Sequence, residues 1–152
     1  MCRVQRVATQ SIANNIDPPT AVNWDTRDVN TDLIFPASGS QNFVTIRTAG
    51  VYLITATLRY VLNSTSTRGL IVYHGATLSG SADSSTVTAG TRITGAMLGA
   101  SPVTQSVLSA STILSCAVND ILAVGAYQNS GSALDLSTLE NTFSLYLIGR
   151  VS

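Results

Sequence analysis

AGVYLITATLRY, residues 49–60, opens on an Ala-Gly pair and alternates like a β-strand. Tyr52, Ile54, Ala56, Leu58 and Tyr60 take one parity. Val51, Leu53, Thr55, Thr57 and Arg59 take the other. A strand with one wet face should place polar residues at every second position. Here the second face begins apolar, turns to threonine and ends in arginine, so at its start it also needs a cover.

The cover has to come from a chain of 152 residues, a length that fits one domain over residues 1–152. Such a chain buries about two-thirds of its unfolded surface and needs neither metal nor disulfide to fold. Ser and Thr make up about a quarter of it, lysine is absent, and eight arginines balance eight acids to zero net charge. A neutral surface supplies no counterion-release term for nucleic acid or an anionic membrane. It also gives little repulsion between copies, which favours an assembly. No stretch approaches the ~20 apolar residues of a membrane helix. MCRVQRVATQ lacks the apolar core of a signal peptide, so synthesis in the cytosol is expected. In that compartment Cys2 and Cys116 read as two reduced, buried thiols, a pair remaining open if the fold brings them together.

Helical periodicity is nearly absent. Segments 2–12, 20–25, 27–35, 42–48, 69–78, 107–118, 121–127 and 143–151 read as strands, separated by Gly, Asn, Asp and Ser clusters. NNIDPP (14–19) should interrupt the pattern, because proline cannot donate to a ladder. NSTSTRG (63–69) reads as a turn, 79–106 as a long connection with one or two weak strands, and LDLSTLEN (134–141) as a loop. About ten short strands without helices make an all-β antiparallel sandwich. Two further strands look apolar on both faces. Ile121, Ala123, Gly125 and Tyr127 oppose Leu122, Val124 and Ala126, while Phe143, Leu145 and Leu147 oppose Ser144, Tyr146 and Ile148. With no helices to cover them, either another subunit or a loop such as 79–106 must do so.

The order of segments resembles the C1q/tumour-necrosis-factor-like jelly roll over roughly residues 2–151. The residues that carry the likeness are Gly50 and Tyr52, then Asn63, Arg68 and Gly75, Asn119-Asp120 before Ile121, and Tyr127, Gly131, Phe143, Leu145 and Gly149. The resemblance implies a jelly-roll sandwich and a compact homotrimer, with one sheet face of each subunit turned to the threefold axis. The candidate trimer-interface residues are Val51, Leu53, Thr55, Thr57, Ile121, Ala123, Gly125, Tyr127, Tyr146 and Ile148. A few hundred Å² of apolar contact per strand, at about 25 cal/mol per Å², would stabilise such an assembly.

Groups able to do chemistry are sparse. The one histidine, His74, ends a strand and has no partner histidines or cysteines at ligand spacing, so it reads as a turn residue. No G-x-S-x-G elbow and no phosphate loop with lysine occurs. Asp25, Asp28 and Asp32 form either an oxygen cluster for Ca²⁺ or loop residues that pair with Arg27 or make Asx-turns. Asn63-Ser64-Thr65 fits a glycosylation sequon and reads as a turn. No catalytic residue, metal or cofactor is expected, and the chain is read as no enzyme.

The expected function is structural: a stalkless, phage-type member serving as a trimeric capsid decoration (cement) protein. It would sit on the capsid exterior, be made in the host cytoplasm and partner the major capsid protein, with no nucleic acid and no membrane. The alternative is a receptor- or glycan-binding head of a phage fibre or tail, with exposed loop Tyr, Trp, Asn and Asp forming the site.

Overall fold

The computed structural model describes residues 1–31, 34–35, 39–80 and 82–150. Two antiparallel sheets face each other across an apolar core. The first sheet holds β2 (Gln10–Ile12), β11 (Leu134–Leu136), β6 (Gly50–Tyr60), β12 (Asn141–Arg150), β1 (Cys2–Arg6) and β4 (Thr26–Asn30), in that order. A seventh strand, β9 (Ser106–Cys116), pairs along the other edge of β6. The second sheet is β3 (Asn15–Ala21), β8 (Thr86–Ser101), β7 (Asn63–Ser79), β10 (Ile121–Gln128) and β5 (Phe43–Thr45).

The opening stretch is the central strand β6. Its burial alternates without a break over 11 residues. Tyr52, Ile54, Leu58 and Tyr60 are fully buried, against Leu70 and Val72 of β7 and Leu122, Val124 and Ala126 of β10 in one cluster. Phe143 and Leu145 enter the same core from β12, and Phe143 stacks on Trp24 at 5.8 Å. The Tyr60 hydroxyl donates to the Gly69 and Tyr127 carbonyls, so a buried phenol pins the two sheets together. Burial pushes its ionisation far above the ordinary tyrosine range.

Several segments depart from expectation. Residues 86–101, expected as part of a loose connection, form the 16-residue strand β8, paired with β7 along most of its length. TVTAGTRITGAMLGAS lacks alternation because most of these side chains face solvent, and backbone pairing holds the strand. NSTSTRG is the start of β7 instead of a plain turn, with an irregularity between Asn63 and Thr67 around Ser66 at φ 64°. NNIDPP does not end a strand. β3 runs through Pro18 and Pro19 as an edge strand that pairs with β8 only at Thr20–Thr86, where no proline amide is required. Leu134–Leu136 inside the expected loop is a short strand bridging β2 and β6.

Candidate functional site: the outward face of the seven-stranded sheet

The outward residues of β6 form cross-strand rows with β9 and β12. Leu53 stands between Ile113 and Tyr146. Val51 lies beside Ser115 and Gly149, with Ile148 in the bulge between Leu147 and Gly149. Thr55 stands between Ser111 and Ser144, and Ser144 continues the row to Arg3 of β1. Thr57 stands between Ser109 and Thr142, with a 3.0 Å hydrogen bond between the Thr57 and Ser109 hydroxyls. The last position, Arg59, faces Val107 and donates to Glu140 at 2.8 Å. The face therefore grades from apolar through hydroxyl to ionic within one strand length.

The apolar end is open in the single chain. Ile113 is 62% exposed and Ile148 55%, while Val51, Leu53 and Tyr146 are half-buried. Large apolar side chains clustered at such exposure mark an interaction surface. Residues 86–101, the segment considered as a cover, belong to the other sheet along β7.

The other candidates, Ile121, Ala123, Gly125 and Tyr127, point outward from β10 on the opposite side of the sandwich. The structure does not bring them together with the β6 and β12 set. Ala123 is fully buried within the chain, packed with Ala21 and Tyr73. A Cβ on Gly125 would meet Pro19 at 2.8 Å and Tyr73 at 3.0 Å. The cover on this face is thus the chain's own segment around Pro19 and Ala21, a covering segment of the kind expected for 79–106 but from a different part of the chain. Ile113 was missed: it shares its parity with Ser109, Ser111 and Ser115, and the register opposite Leu53 reveals its place.

The remaining polar groups have structural partners. The Asp25 carboxylate accepts the Val7 and Ala8 amides at 3.0 Å each and lies 3.5 Å from Arg6. Asp28 pairs with Arg3 at 3.3 Å and with Gln5, and Asp32 lies outside the described residues. Among the described residues, no group of three His, Cys, Asp or Glu side chains could hold a metal ion. Arg6, 4% exposed, also donates to the Ala8, Thr9 and Asn23 carbonyls and to Asp83, tying β1 to the 3-10 turn at Ala82–Ser84. Arg68 is buried and bonded to the Asn63, Thr65 and Thr67 carbonyls, and burial lowers its pKa.

His74 Nε2 lies 2.7 Å from Asp120 Oδ2, which also accepts the Ala117 amide at 2.8 Å. Burial pushes the Asp120 carboxyl up, but these two hydrogen bonds and the His74 charge together hold it below its ordinary value. Cys2 and Cys116 are both buried, and neither is in a disulfide. Burial, with Asp120 nearby, raises the Cys116 thiol to about 11, which makes it a poor nucleophile. No helix among the described residues is long and apolar enough to cross a membrane.

No protein-family model and no curated protein sequence matches the chain. Solved structures do. The globular domain of zebrafish complement 1qA superposes with a TM-score of 0.65 at 13% identity, covering 99% of this chain and 98% of that one. Murine APRIL gives 0.63 at 14% identity, covering 97% of each chain. The Eiger TNF of S. frugiperda gives 0.57 at 15%, covering 95% of this chain and 94% of that one. With both sheets antiparallel and the likeness running end to end, the chain is an all-β jelly-roll sandwich of the C1q/TNF-like fold.

Proposed function

We propose that this protein is a non-enzymatic structural module that works as a homotrimer closed on the outward face of the seven-stranded sheet. The observation that carries this is the Ile113–Leu53–Tyr146 row, flanked by Val51 and Ile148: an apolar strip on a central strand, open in the single chain. A second copy is the fitting cover, because large apolar side chains stand open at one end of the strip, which passes through hydroxyl pairs to Arg59–Glu140 at the other. Threefold closure is what the C1q/TNF resemblance implies. Light scattering of the purified chain should give three times the chain mass; a concentration-independent monomer would sink the assembly.

Within that frame the protein serves as a capsid decoration protein on the virion exterior, made in the host cytoplasm. The support is a small, neutral, Ser/Thr-rich chain with reactive groups spent on structural bonds. A symmetric trimer fits the threefold positions of an icosahedral shell and stabilises it by binding only the assembled state. Undecorated shells mixed with the protein should bind it and melt at a higher temperature. Hundreds of copies per particle mean decoration, whereas a few to dozens mean the fibre or tail head instead.

A further inference from the structure

The second sheet carries a groove on the side of the sandwich away from the Leu53 row. Strand register stacks Tyr127–Gly69–Met97 beside Gly125–Ile71–Gly95 on its outward face. The Tyr127 ring fills the space above Gly69, where a Cβ would lie 1.8 Å from the ring. Of the three glycines in these rows, Gly95 leaves low ground beside Ile71, while Tyr127 covers Gly69 and Pro19 covers Gly125. The result is a groove of about 550 Å³ along Ile71, Arg92, Gly95, Met97 and Tyr127, continued by a second hollow toward Thr67 and Asn129. That volume lies within the range of small-ligand sites.

Its floor and rim differ in chemistry. Ile71 and Met97 are apolar, and Met97 is 70% exposed. On the rim, Asn129 spends its Oδ1 on Ser66 and on the Thr67 amide, while its Nδ2 has no partner among the described residues. The Thr67 and Tyr127 hydroxyls likewise have none. At the far end the Arg92 guanidinium lies 5.9 Å from the Tyr73 ring and 3.6 Å from Asp17, with both charged side chains mostly exposed. A donor fork beside a carboxylate acceptor is locally neutral.

We propose that this groove binds a neutral pyranose glycan. The C–H face of a sugar ring would lie on Ile71 and Met97. Its hydroxyls would take the unspent donors of Asn129, Thr67 and Tyr127, and the donor–acceptor pair of Arg92 and Asp17. A purely apolar ligand would leave that rim unpaired, and an anionic one would meet Asp17. The site is complete in one chain, so it does not rest on the trimer or on the capsid. It gives the glycan-binding alternative a place on a sheet face, where the sequence reading looked to loops.

The test is methyl NMR on the full chain titrated with cellotetraose, maltotetraose, galactotetraose and chitotetraose, with tetragalacturonate and a neutral peptide as comparators. At least one neutral tetrasaccharide should shift the Ile71 and Met97 methyls and leave Ile148 unmoved. Its affinity should be unchanged between about 0.05 and 0.5 M NaCl, because no net charge is paired. Arg92→Ala should weaken binding about tenfold and Tyr127→Phe about threefold, with unchanged melting of Arg92→Ala showing that the fold is intact. The proposal is overturned if none of the neutral sugars moves those methyls. It is also overturned if tetragalacturonate binds tighter in a salt-sensitive way, or if the peptide binds there equally well. A monomeric mass with intact groove shifts would refute the trimer and spare the groove.

Discussion

Leu53 of β6 and Tyr146 of β12 stand directly opposite each other on the outward face of the seven-stranded sheet, half-buried in the single chain. Leu53→Arg separates the two accounts of that face. If the face is a subunit seam, three buried guanidinium groups meet there without partners, and the mass by light scattering falls to that of one chain, with a lower melting temperature. If the face is wet, stability changes by less than about 0.5 kcal/mol and the mass does not move.

Ala123→Arg is the control with the opposite expectation. Ala123 is fully buried by the chain's own residues, so a charge there should prevent folding whatever the assembly state. Soluble, folded Ala123→Arg protein by circular dichroism would show that Pro19, Ala21 and Tyr73 do not cover this face tightly.

Gly69→Ala should destabilise the fold by about 1–3 kcal/mol, because the new methyl enters the Tyr127 ring. Tyr127→Ala removes the obstacle. The double variant should therefore lose less than the sum of the two single losses in urea titrations. Strict additivity would mean that the ring does not rest on Gly69.

The Asp120 carboxyl is held below its ordinary range in the folded state. Its contribution is present above the unfolded value of about 3.9 and is lost as pH falls through the lower folded value. Asp120→Asn should reduce stability at neutral pH and flatten the acid limb of the melting curve. An acid limb identical to that of the parent protein would show that the His74 pair contributes nothing.

The Cys116 thiol moves in the other direction. Raised from 9.0 to about 11, it favours the folded state fully below pH 9 and loses that contribution as pH rises through 11. At pH 8 a thiol reagent should leave Cys116 unmodified in native protein and label it promptly in denaturant. Prompt labelling of native protein would contradict its burial.

The core was legible where alternation was clean: every even residue of β6 from 50 to 60 is buried. β8 was hidden because its side chains carry no hydrophobic period, and a strand held by backbone pairing leaves no such mark. Pro18 and Pro19 argued for a break because a sequence does not show that a strand will be an edge. For the candidate site, sequence identified residues with an outward parity but not which sheet they left from. Val51 and Leu53 ended on one side of the sandwich and Ala123 and Tyr127 on the other, since doubly apolar strands look alike whatever covers them.

The gradation along β6 gives any assembly closed on that face a direction. Its two poles would answer different solvents: added salt would loosen the Arg59–Glu140 pole first and leave the Leu53 pole tight, whereas cooling would weaken the Leu53 pole. Docking onto a larger body would then be one-ended. A particle wearing such trimers would present the same pole outward at every position.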